Sequence, residues 1–88
     1  MPAVHVPAEL RDLTGGRAMV DVDARTLGEV IDGLETRYPG LRTRLVTDGH
    51  LRPGLRALVA GAPAKGDLRG PVGATDEIFF LRQIGGGA

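Results

Sequence analysis

The chain has 88 residues, 11 basic against 11 acidic side chains for a formal net charge of +0, no cysteine and 14 glycines. A chain of this length forms one domain burying roughly 60% of its unfolded surface, enough for one small core and not for two. Zero cysteine excludes a disulfide framework, thiolate zinc or iron–sulfur ligation and a cysteine nucleophile, and the charge balance leaves no single-signed field for nucleic acid or an anionic membrane.

In chain order, the start Met1-Pro2-Ala3-Val4-His5 lacks the basic and apolar regions of a secretory signal. No apolar run reaches the length of a membrane span, so a cytoplasmic protein is expected. Ala3–Val6 reads as a strand with Val4 and Val6 on one face, limited by Pro7. Ala8–Leu13 suits one or two helical turns, and Thr14-Gly15-Gly16 is a turn signal. Arg17–Val22 alternates Ala18, Val20 and Val22 with Arg17, Met19 and Asp21, the pattern of a half-buried strand antiparallel to the first.

Thr26-Leu27-Gly28-Glu29 opens a helix. The Thr26 hydroxyl is placed to accept from the Glu29 amide, with the Glu29 carboxylate returning to the Thr26 amide. Leu27, Val30, Ile31, Leu34 and Tyr38 follow at helical spacing, and Pro39-Gly40 stops the helix. Leu41–Val46 adds a short second helix, with Leu41 and Leu45 four apart. Asp48-Gly49 and Pro53-Gly54 mark turns. Leu55–Ala60 is a third strand, and Gly61–Thr75 a long loop holding one short edge strand around Lys65–Leu68. Glu77–Leu81 is an apolar run that reads as a strand buried on both faces. Leu27, Val30, Ile31, Leu34, Val20, Val59, Ile78 and one of Phe79 and Phe80 are expected in the core. One main helix with four to five strands predicts an α+β mixed sheet wrapped around that helix. The expected division is a domain over 1–84 and a flexible glycine tail over 85–88.

The order of elements resembles the ubiquitin-like β-grasp fold, and more narrowly the ThiS/MoaD family of sulfur carriers. The residues that carry the resemblance are Val59-Ala60-Gly61, Pro71-Val72-Gly73-Ala74-Thr75-Asp76-Glu77-Ile78, Phe79-Phe80-Leu81 and Ile84-Gly85-Gly86-Gly87. The family's asparagine is replaced by Ala60, its Gly-Asp pair by Thr75-Asp76, and Ala88 follows the diglycine. The resemblance implies a protein cosubstrate and not an enzyme. A partner related to the ubiquitin activators would use ATP to adenylate the C-terminal carboxylate. Exchange for sulfur would give a thiocarboxylate on Gly87, with Gly86 beside it, and a sulfur-acceptor enzyme would take the sulfur for cofactor, cysteine or secondary-metabolite synthesis. The tail Gly85, Gly86 and Gly87 would thread the partner's channel, and a C-terminal peptidase would cut between Gly87 and Ala88. Phe79, Phe80, Leu81 and Arg82 would form the partner surface. No bound cofactor and no metal is implied.

The physics of the tail fits such a role, because glycine has no Cβ and lets the backbone approach a channel wall closely. The alternatives are a molybdopterin synthase small subunit, a ubiquitin-like modifier joined to lysine, or a β-grasp interaction module that is never activated. The bland reading of the tail is a frayed terminus. Other constellations are weaker. His5 and His50 are far apart in sequence, Asp76 and Glu77 are adjacent and point to opposite faces, and Lys65-Gly66 lacks the strand-to-helix context of a phosphate loop. Arg37, Arg42, Arg44, Arg52 and Arg56 read by default as a solvated basic face.

Overall fold

Two patterns organise the molecule, strand alternation at its two ends and helical spacing in the middle. The structure is a computed structural model that describes residues 1–64 and 68–82. It runs β1 (Ala3–His5), a 3-10 helix (Ala8–Thr14), β2 (Met19–Asp21), α1 (Leu27–Arg37) and α2 (Leu41–Leu45). Then follow β3 (Val46–Thr47), β4 (His50–Leu51), β5 (Leu55–Val59), β6 (Ala62–Pro63) and β7 (Glu77–Arg82). Five strands form one mixed sheet in the order β2-β1-β7-β5-β6, and β3 and β4 pair separately. β1 is antiparallel to β2 and parallel to β7, while β5 is antiparallel to β7 and β6. This is the β-grasp arrangement expected from the resemblance.

Register decides what faces inward. Val20, Val4, Ile78 and Val59 are aligned across four neighbouring strands, and Ala57 lies opposite Phe80. On this face α1 lays Leu27, Val30, Ile31 and Leu34, all buried, and Leu41 and Leu45 of α2 complete the core. Val59 is only partly buried, because it lies beside an open groove lined also by Leu27, Ala60 and Ala64.

Three expectations are corrected. The β7 run is not buried on both faces: Ile78 and Phe80 face the core, whereas Phe79 and Leu81 are exposed. The one main helix covers one face of the sheet, so the run alternates despite its continuous apolar composition. The edge strand lies at Ala62–Pro63, paired with Leu58 and Val59. Leu68 is in a turn instead, and residues 65–67 lie outside the described residues. In the α1 cap the Glu29 amide donates to the Thr26 hydroxyl at 3.1 Å as expected, but the Glu29 carboxylate accepts from the Arg25 amide at 2.9 Å, one residue earlier. Thr26 instead pairs with Pro71 in an isolated β-bridge.

Candidate functional site

The functional residues expected from the sequence cluster where β7 ends, so the site is built on that strand. β7 is the middle strand of the five, hydrogen-bonded to β1 on one side and β5 on the other. The loop before it is locked at several points. The Gly73 amide donates to Asp76 Oδ2 at 2.7 Å, the Asp76 amide donates back to the Gly73 carbonyl at 3.2 Å, and the Ala3 amide donates to the Asp76 carbonyl at 3.0 Å. Val72 is buried, and its amide donates to the Arg25 carbonyl at 2.8 Å. The segment Pro71–Glu77 therefore fastens the loop to both the N-cap of α1 and the start of β7. Whatever follows Arg82 is tethered to a strand that cannot shift without breaking two ladders.

Of the expected partner surface, Phe79, Leu81 and Arg82 are exposed on the outer part of β7. Phe80 is corrected: it is 3% exposed and its side chain packs in the core against α1 and α2 side chains, so its ring is not part of the outer surface. Gly85, Gly86, Gly87 and Ala88, together with the 84/85 domain boundary, lie outside the described residues.

Pairing register adds residues that sequence reasoning missed. Met19, His5, Phe79 and Leu58 are aligned across β2, β1, β7 and β5 on the outer face. Met19 is 52% exposed, Phe79 37% and Leu81 45%. The His5 ring stacks on Phe79 with centroids 3.8 Å apart and planes 7° from parallel. Its Nε2 donates to Glu77 Oε1 at 2.7 Å, since a carboxylate only accepts. Glu77 thus holds the imidazole flat on the phenyl ring, making one apolar platform of two side chains. The signal for Met19 was present: an apolar residue at an outward position between Arg17 and Asp21. A shallow groove of about 480 Å³ runs between this platform and the β1–β2 side, lined by Arg11, Met19, Phe79 and Leu81. Exposed apolar surface rimmed by charge is of the kind that suits contact with another molecule.

Asp76 and Glu77 are engaged with different partners, the Gly73 amide and His5. Among the described residues no group of three or more His, Asp or Glu side chains is placed to hold a metal ion, and no helix is long and apolar enough to cross a membrane. A groove of about 510 Å³ beside Asp76, Pro63 and Pro71 lies at the opposite end of β7 from Arg82.

Comparison with known proteins locates this architecture. The model of the ThiS family matches residues 4–87. The sulfur carrier protein CysO of Mycobacterium tuberculosis is 32% identical over 89 residues, covering 96% of both chains. Small archaeal modifier protein 3 of Haloferax volcanii is 39% identical over 57 residues, 61% of each chain. Among solved structures, a chain of the Amycolatopsis orientalis BexX/CysO complex superposes with a TM-score of 0.91 at 30% identity, over 98% of this chain and 99% of that one.

Proposed function

Because this chain belongs to the ThiS family of small ubiquitin-like proteins, we propose that it carries sulfur as a C-terminal thiocarboxylate on Gly87. The observation that carries this reading is the extent of the family match. It runs from residue 4 through the rest of the domain and ends on Gly87, the residue before Ala88. The similarity to CysO, a sulfur carrier along nearly its whole length, supports the same role.

The chain's own contribution is a reactive terminus and a handle. After a peptidase removes Ala88, the Gly87 carboxylate attacks the α-phosphorus of ATP on an adenylating partner and pyrophosphate leaves. A sulfide then attacks the acyl carbon and AMP leaves, giving the thiocarboxylate. An acceptor enzyme consumes that sulfur. From Arg82 to Gly87 an extended chain reaches at most roughly 17–18 Å, so the partner must sit against the domain while the tail enters its channel. The platform of His5 and Phe79, with Met19, Leu81 and Arg82, is the surface it would sit on. The CysO relative crystallised as a complex with BexX supports docking of such a domain on another protein.

The test is intact mass spectrometry of the full chain and of the chain ending at Gly87. Each is incubated with an adenylating enzyme of its own genome, ATP and a sulfide source. Replacement of one oxygen by sulfur in the chain ending at Gly87, lost in Gly87→Val, is the expected result. An unchanged mass in both forms overturns the proposal. A second reading, a ubiquitin-like modifier, is favoured by the similarity to small archaeal modifier protein 3. It would appear in the same experiment, run with lysate proteins, as an amide-linked conjugate to lysine and no sulfur product.

A further inference from the structure

The end of the sheet at which β7 finishes, at Arg82, carries an uneven charge. The chain is neutral overall, yet a groove of about 270 Å³ at this end brings together Arg44 of α2, Arg52 of the β4–β5 turn and Arg82, the last residue of β7, with Glu9 as its acidic member. Pro7 and Leu55 form part of its apolar lining, and Leu55 is the register partner of Arg82. The internal pairing is weak. Arg82 Nε is 3.9 Å from Glu9 Oε1, at the outer limit of an ion pair, with both side chains at least half exposed. Arg52 spends one N–H on the Thr43 carbonyl at 3.4 Å, and Arg44 makes no ion pair among the described residues. Arg42, by contrast, is paired with Asp32 and does not line the groove.

We propose that Arg44, Arg52 and Arg82 form a basic collar around the tail exit that docks on an acidic protein surface at the mouth of the partner's channel. The inference rests on the carrier reading, since it is the entering tail that brings the collar against a partner. Exposed guanidinium groups on an open rim suit carboxylates presented by another protein, which they bind through paired N–H donors. A neutral chain with its surplus cations at one end is also oriented by an acidic mouth before contact, which speeds encounter and fixes which end arrives first. The apolar platform on the outer sheet face supplies contact area, and the collar sets orientation.

The experiment is ATP–pyrophosphate exchange by the adenylating enzyme of the same genome, with the full chain and the chain ending at Gly87 as substrates across a salt series. Charge reversal at both Arg44→Glu and Arg52→Glu is expected to raise the KM for the chain by about tenfold or more at low salt, with kcat held within about twofold. The KM difference should shrink as salt screens the interaction. Arg44→Gln with Arg52→Gln should move KM in the same direction by less, and circular dichroism melts verify that each variant is folded. The paired control Arg25→Glu with Arg69→Glu imposes the same net charge at the opposite end of β7, away from both the groove and the platform, and should leave KM within about threefold.

Equal KM changes in the two charge-reversed pairs, or none in either, would overturn the collar while wild-type exchange upheld the carrier reading. Calorimetric binding of inorganic phosphate that is lost in Arg44→Gln with Arg52→Gln would assign the groove to a small anion and also overturn it. No exchange above the chain-free rate with either wild-type form would instead overturn the carrier reading, and the collar with it.

Discussion

Ala60 and Gly33 show how single positions carry strain that composition does not reveal. Ala60 follows β5 with φ at +52°, in the left-handed region where a Cβ crowds the following carbonyl. The family pattern has asparagine there, a residue that tolerates this conformation. Ala60→Gly is expected to raise stability by about 0.5–1 kcal/mol, measured by urea denaturation, because the native backbone is already one that glycine adopts freely. Gly33 works the other way. As a residue inside α1 it reads from sequence as a weak point relative to alanine. A Cβ built there would lie 2.5 Å from Val22 Cγ1, and Val22 is buried with a stiff β-branched side chain. Gly33→Ala should therefore destabilise by about 1–2 kcal/mol despite its gain in helix propensity, since overpacking a buried contact outweighs that gain. A stabilised Gly33→Ala variant would show that Val22 can move aside.

At the scale of elements, the start of α1 is also the anchor of the loop that precedes β7. Thr26 caps Glu29, the Leu27 amide donates to the Gly70 carbonyl at 3.0 Å, and the Gly28 amide donates to the Leu68 carbonyl at 2.8 Å. The helix's unpaired N–H groups are thus satisfied partly by a loop from the far end of the chain. Thr26→Ala should cost about 1 kcal/mol, and hydrogen exchange should quicken at the Leu27 and Val72 amides as well as at Glu29. If only the Glu29 amide responded, cap and loop would be independent. The sequence made the capping threonine legible because a capping box is a pattern within four residues. Where the Glu29 carboxylate would turn, and that Gly70 and Leu68 would complete the cap, depended on a loop more than forty residues away.

For the whole molecule, α1 and α2 on one side of a five-stranded sheet leave the other side to be covered by something else or left open. That asymmetry separates Phe79 from Phe80. Phe80→Ala is expected to destabilise by about 3–5 kcal/mol through the cavity it leaves. Phe79→Ser removes an exposed ring stacked on His5 and should cost about 1 kcal/mol, while weakening binding to the adenylating partner more than tenfold, as read by surface plasmon resonance. Retained affinity in a folded Phe79→Ser variant would remove the outer face from the docking surface.

From the sequence alone came the order of the main elements, the main helix with its capping threonine and the single small core. These features are written in short-range periodicity and turn chemistry, which depend on neighbours in the chain. The tertiary structure alone decided that Phe80 and not Phe79 is buried, that Met19, His5 and Phe79 share one row, that Val22 fills the space over Gly33, and that Arg44, Arg52 and Arg82 meet in one groove at the end of β7. Each of these depends on strand register or on which face a helix covers, and such choices are made between residues distant in sequence only when the chain packs.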